Sequence, residues 1–143
     1  MKIVHEAVIE APVDVVWDLT ENVESWPSLS STFTSVERLT GGPLRAGSLV
    51  RVKQPGQAEQ VWTVTIIDRP NLFAWEAHLA GLRMIGSHQI SQAGTGCRNR
   101  LAVELSGRGA NLVGRLIGGR IRRSIATENA GFKRRAEADP HRA

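Results

Sequence analysis

The stretch GCRNRLAVELSGRGANLVGRLIGGRIRRSIATENAGFKRRAEA, residues 96–138, changes its hydrophobic period once, around Gly107–Gly109. Before the change the pattern repeats every second residue. Cys97, Asn99, Leu101, Val103 and Leu105 share one face, and Arg98, Arg100 and Glu104 share the other. That is a β-strand with one face buried and one in water. After the change the period is helical. At about 100° per residue, Gly114, Ile117, Gly118, Ile121, Ile125 and Phe132 form one stripe of a helix over 110–138. Arg115, Arg122, Arg123, Lys133 and Arg134 fall on the far side. Such a helix lays one face on a sheet. Gly114 and Gly118 are unusual there, because a glycine costs about 1 kcal/mol against alanine in a helix interior. Either the helix backbone approaches the sheet closely, or the missing side chains leave space beneath it.

Upstream of this stretch, turn sequences recur at short intervals: Gly41-Gly42-Pro43, Pro55-Gly56, Arg69-Pro70-Asn71, Ala80-Gly81 and Gly94-Thr95-Gly96. Segments rich in Val, Ile, Thr and Trp lie between them, which reads as an antiparallel meander. Strands are expected near 2–10, 33–40, 47–54, 59–68, 72–79, 82–92 and 96–106. Ala11-Pro12 ends the first strand, and Pro12 suits the first turn of a helix over Val13–Thr20. A second short helix or turn surrounds Glu24–Pro27. No repeat or linker interrupts the chain. The expected class is α+β: a curved antiparallel sheet of six to seven strands around a long C-terminal helix, with two short helices after strand 1. Residues 1–138 read as a single domain and 139–143 as a C-terminal tail.

The chain has 143 residues, 41% apolar and 22% charged, ordinary values for one globular domain. Cys97 is its one cysteine, so no internal disulfide forms. The N-terminal apolar stretch is broken by Glu6, Glu10 and Asp14, unlike a signal-peptide core, and no run reaches membrane-spanning length. The expected location is cytoplasmic. The net charge of +4 is uneven: residues 1–106 carry 9 Lys/Arg and 11 Asp/Glu, and residues 107–143 carry 9 and 3. Either the last helix has a plain solvated face, or its basic face meets an anionic partner.

Four strings carry a family likeness. They are VIEAPVDVVWDLTENVESWPSLSS (residues 8–31), WTVTIIDRPNLFAWEA (62–77), GSHQISQAGTGCRNRLAVELSG (86–107) and TENAGFKRRAEA (127–138). In that order they resemble the START-like helix-grip (SRPBCC) superfamily, and within it the polyketide cyclase/dehydrase and lipid-transport group. The resemblance covers nearly the whole chain and contains no catalytic signature. It implies a pocket between sheet and C-terminal helix for a small hydrophobic ligand such as a lipid, polyketide or quinone. It also implies that some members act as cyclases or dehydratases.

The inward strand positions nominate the site. His88 shares a face with Met84, Gly86 and Ile90, where a histidine could act as acid or base near neutral pH. It is the best catalytic candidate. Asn99, inward on the next strand, could meet it and form a polar spot in an apolar chamber. His5 follows the parity of Ile3 and Ala7 and is a weaker candidate at a sheet end. Trp62 goes by parity with Val64 and Ile66, and Trp75 with Phe73 and Ala77; Trp17 and Trp26 belong near the pocket mouth. The expected ligand-binding set is Trp26, Trp62, Trp75, Met84, His88, Asn99, Ile117 and Ile121. Each has a plainer reading as core. Glu128, beside the helix stripe, is either a desolvated acid or half of a salt bridge to a sheet arginine. Asp14 and Asp18 read as helix surface, and Cys97 as a small inward apolar residue. His5, His78, His88 and His141 lack metal-ligand spacing, so no metal is expected, nor any cofactor.

Three functional readings follow. The first is binding, or transport, of a small hydrophobic molecule. The second is a cyclase- or dehydratase-like enzyme on the same pocket, with His88 as acid/base. The third is an interaction module that uses the basic helix face. The helix lacks interleaved aromatics, so no nucleic acid is expected. Weak contact with an anionic membrane surface fits better. The oligomeric expectation is a monomer or homodimer.

Overall fold

A computed structural model describes residues 1–138. The expected tail 139–143, with His141, lies outside the described residues. The chain forms β1 (Lys2–Ile9), α1 (Val13–Glu21), a short 3-10 turn (Val23–Ser25), α2 (Trp26–Leu29), β2 (Ser35–Arg38), β3 (Leu49–Lys53), β4 (Gln60–Asp68), β5 (Leu72–Leu79), β6 (Leu82–Ala93), β7 (Gly96–Gly107) and α3 (Ala110–Glu137). Turn chemistry and period changes therefore place every element within about two residues of its expected ends, the usual latitude at element boundaries.

The seven strands make one antiparallel sheet in the order β1-β7-β6-β5-β4-β3-β2. Consecutive hairpins build β2 to β7, and β1 completes the sheet along β7. Register aligns whole rows across the inner face. One row runs Phe73, His88, Leu101, His5; the next runs Trp75, Gly86, Val103, Ile3. The expected alternation holds on β5, β6 and β7. It fails on β4, where the register shifts between Val64 and Ile66. After that bulge Ile67 stands opposite Phe73, and Ile66 turns outward at 42% exposure. One extra residue on one strand exchanges the faces of everything beyond it.

The first half of the chain closes the sheet at one end. Val16, Trp17, Val23, Trp26 and Leu29 are buried there with Phe33, Phe73 and Phe132. The long helix α3 runs along β1 and β7 and sets Ile125 against Ile3 and Leu101. The two glycine explanations part company. A Cβ on Gly114 would overlap the Met1 sulfur, so close approach explains that glycine. A Cβ on Gly118 would meet Ile3 and Met1 at an ordinary 3.7 Å, so close approach does not require it. Gly131 is a third case: a Cβ there would overlap the Leu29 carbonyl, so the helix end seats directly on α2.

Candidate functional site

The inner face of the sheet has two differently built ends. At one end aromatic rings pack around Trp26. Its ring centroid lies 5.0 Å from His88, 5.2 Å from Phe33 and from Trp75, 5.8 Å from Phe132 and 6.0 Å from Phe73. The indole N–H donates to the Leu19 carbonyl at 3.1 Å. Trp26 and Trp17 were expected near the pocket mouth. Both are buried instead, and Trp26 is the centre of the core, because α2 turns inward over the sheet end.

His88 belongs to this packed end. Phe73 and Phe132 stand 5.7 Å and 5.5 Å from its ring, nearly perpendicular to it. Its Nδ1 is buried with no hydrogen-bond partner. Burial holds the imidazole at about 3, far below the usual histidine value, because the aromatic surround cannot solvate a cation. His88 is therefore a neutral imidazole near pH 7. It offers a hydrogen bond there, and proton uptake falls outside its range.

Asn99 does not join His88. The β6–β7 register sets His88 opposite Leu101, and Asn99 two residues further, opposite Ile90. The Asn99 side-chain amide donates to Asn129 Oδ1 at 3.0 Å, and Asn129 Nδ2 donates to the Asn99 carbonyl at 3.0 Å. Asn129 Nδ2 also lies 3.0 Å from His5 Nδ1. These three residues clamp α3 to β7 and β1. Asn99 and His5 thus join a helix-docking network that the strand pattern alone did not reveal, since Asn129 comes from a different element.

The other end is more accessible. Trp62 on β4, Met84 on β6 and Val103 on β7 face inward yet stay half-buried. On α3, Ile117, Ile121, Ser124 and Glu128 follow one another along a single flank, and all are half-buried as well. They flank the fully buried stripe of Gly114, Gly118, Ile125, Asn129 and Phe132. Trp62 and Trp75 stack at 5.2 Å with their planes 31° apart. Gly86 makes room for them: a Cβ there would come within 2.9 Å of Trp75 Nε1. Trp62 packs against the aromatic core around Trp75, whereas Ile121 packs against Ile3, Leu101 and Ile125 at the other cluster of the inner face. A cleft of about 440 Å³ opens beside this end, between the start of α3 and the end of β7, and Met1, Leu105 and Leu112 line it. A second cleft, about 490 Å³, lies at the far end of α3 against Lys133, Arg134 and Glu137.

Glu128 carries the distinctive chemistry. It sits one turn before Phe132, at the border between the two ends. Its carboxyl has no hydrogen bond or ion pair among the described residues. The salt bridge to a sheet arginine does not form: Arg51, Arg83, Arg98 and Arg100 alternate onto the outer face, and Arg38, on the edge strand β2, makes no ion pair among the described residues. Burial alone pushes Glu128 up to about 8. A carboxyl in that range exchanges protons near neutral pH, as His88 does not. Among the described residues, no three His, Cys, Asp or Glu side chains gather as a metal site.

Residues 1–137 match the polyketide cyclase/dehydrase and lipid transport family. The chain belongs to that family. Within its sequence neighbourhood, two proteins named as proposed polyketide cyclases are similar to parts of it. The one from Streptomyces halstedii is 42% identical over 62 residues, which is 41% of this chain and 53% of that protein. The one from Streptomyces cyaneus is 50% identical over 36 residues, 25% of this chain and 24% of that protein. The matched stretch thus spans about half the length of the first relative and a quarter of the second. Family-wide architecture is shared more broadly. The Zhui aromatase/cyclase from Streptomyces sp. R1128 superposes with a TM-score of 0.77 at 17% identity, covering 96% of this chain and 93% of that one. A START superfamily protein from Mycobacterium smegmatis gives 0.73 at 12% identity, covering 94% and 97%. At such identities the likeness is one of fold. No helix among the described residues is long and apolar enough to cross a membrane.

Proposed function

We propose that the chain binds a small hydrophobic molecule with a polyketide-like carbon skeleton between sheet and α3, and cyclises or dehydrates it by proton transfer at Glu128. The carrying observation is the unpaired, desolvated Glu128 carboxyl on the flank that holds Ile117 and Ile121. Family membership and the named Streptomyces relatives support the substrate class.

The chemistry needs one carboxyl. As carboxylate, Glu128 takes a proton from a methylene between two carbonyl groups of the ligand. The resulting enolate carbon attacks a second carbonyl carbon, a C–C bond forms, and the carbonyl electron pair moves to oxygen. That oxygen takes the proton back from Glu128. Dehydration repeats the cycle: Glu128 removes a neighbouring C–H proton and returns it to the departing hydroxyl, which leaves as water. A group with a pKa near the working pH serves both halves. Neutral His88 can hold a ligand hydroxyl by hydrogen bond, and Trp62 with Trp75 stacks on planar portions of the chain.

The test is turnover of a synthetic poly-β-ketone thioester, read by the absorbance of its aromatic product. Glu128→Gln is expected to lower kcat by about 100-fold or more with probe binding intact. Unchanged turnover in that variant removes Glu128 from the chemistry. Carriage without chemistry is the second reading, favoured by the otherwise apolar wall. It predicts that native mass spectrometry finds a co-purifying hydrophobic molecule unaltered by the protein.

We also propose that the cleft between the start of α3 and the end of β7 is the mouth of the pocket and meets an anionic membrane surface. Leu112 and Leu116, one turn apart on α3, are 63% and 75% exposed, and Leu112 lines the mouth cleft. Arg108, Arg115, Arg122 and Arg123 nearby form no ion pair among the described residues, which complements anionic lipid. Co-sedimentation with vesicles containing phosphatidylglycerol, lost in high salt and in L112S/L116S, is the expected result. Equal sedimentation with neutral vesicles would overturn it.

A further inference from the structure

The edge strand β2 contributes one basic side chain to the inner face. Register pairs Arg38 with Val50, and Val50 with Trp62. Directly opposed residues of an antiparallel pair project from the same side of the sheet. Val50 is fully buried and Trp62 stacks on Trp75, so that side is the inner one. The neighbours agree: Val36, two residues earlier, is buried, while Glu37 projects outward and pairs with Arg51.

Arg38 is only partly exposed, and its Nε is buried with no hydrogen-bond partner. A buried donor left unpaired is destabilising, and more so on a guanidinium, which stays charged at any ordinary pH. A carboxylate is close by without serving the side chain: Glu24 Oε2 accepts the backbone N–H of Arg38 at 3.2 Å, and no ion pair joins Glu24 to the guanidinium. The planar fork of Arg38 therefore lacks an oxygen acceptor on the same face as the tryptophan pair.

We propose that Arg38 anchors the ligand: its guanidinium receives a ketone, enolate or carboxylate oxygen of a molecule whose planar body lies on Trp62. This rests on the pocket reading above and narrows the ligand to one with an oxygen acceptor near one end. The arrangement divides the work. Arg38 holds the acceptor, the tryptophans hold the body, and Glu128 meets the carbon that gives up its proton. Arg38 also stabilises an enolate better than the parent ketone, since a charge-assisted hydrogen bond strengthens as negative charge develops on the acceptor.

Binding of 2-naphthoate and of 2-methylnaphthalene, followed by tryptophan quenching, tests the assignment. The wild-type chain is expected to prefer the naphthoate by about tenfold or more, as a charge-assisted contact implies. Arg38→Met should abolish the preference while still binding methylnaphthalene, which also shows that the variant is folded; Arg38→Lys should restore part of it. An equal affinity of the wild type for both probes, or a preference that survives in Arg38→Met, overturns the anchoring role and leaves the pocket standing. Failure of the wild type to bind either probe overturns the pocket reading itself.

Discussion

The two ends of the inner surface are built from the same kinds of residue and do different things. At the Trp26 end, rings meet rings, exposure falls to a few per cent, and His88 is locked in its neutral form. At the Trp62 end, inward-facing side chains keep accessible surface, and the helix flank opposite them carries an unpaired acid. The difference lies in what covers the sheet. Helices α1 and α2 fill the first end, whereas α3 runs along β1 and β7 and leaves the β4–β6 side of the second end less covered. The proposed ligand site is thus placed where packing stops, and its proposed residues lie just past that boundary.

That contrast can be broken by mutation. Trp26→Ala should remove about 4 kcal/mol of stability, since a fully packed tryptophan leaves a cavity that its neighbours cannot fill. Trp62→Ala should remove much less, about 1–2 kcal/mol, because part of its ring is already accessible. Urea unfolding of both variants measures the gap, and equal losses would mean that the two ends are packed alike.

The helix clamp comes next in size. Asn99→Ala should lower stability by about 2 kcal/mol, through the lost bond and the buried Asn129 Oδ1 left without a donor. A double-mutant cycle with Asn129→Ala should show coupling of about 1 kcal/mol, since the two side chains bond each other. Additive losses would mean that each amide acts with some other partner.

Two titrations sharpen the comparison further, with opposite signs. Unfolded His88 binds a proton near 6.5 and the folded residue only near 3, so its contribution to stability is lost as pH falls through that window. Glu128 runs the other way. Between about 4.5 and 8 the folded acid keeps a proton that the unfolded one has released, so stability is lost as pH rises. His88→Leu should therefore flatten the acid limb of a Tm-against-pH curve. Glu128→Gln should match the wild type below pH 4 and become the more stable of the two toward pH 8. A pH-independent offset in either variant would contradict the burial of that group.

The fold was legible because its elements announce themselves locally. The period change after Gly107, Pro12 at the first helix and the glycine-bearing turns each act over a few residues, and the alternation on β7 names its own buried face. The site was legible only in part. Strand parity correctly turned His88, Asn99, Trp75 and Met84 inward. Parity cannot see register, so it could not show that Asn99 stands opposite Ile90, or that a bulge sends Ile66 outward. It gives no account of what arrives from elsewhere in the chain. Asn129 claims Asn99, α2 carries Trp26 into the core, and no sheet arginine reaches Glu128. Arg38, the proposed anchor, was passed over because one basic residue in a four-residue edge strand has too short a pattern to read.

The stacked pair of Trp62 and Trp75 has a consequence of its own. Two indoles 5.2 Å apart couple their electronic transitions, so the protein carries a built-in optical gauge on the inner face of its sheet. A planar guest laid on Trp62, as proposed above, would alter that coupling and quench its emission. Trp26, wedged against an imidazole that charges only in strong acid, remains a steady internal reference.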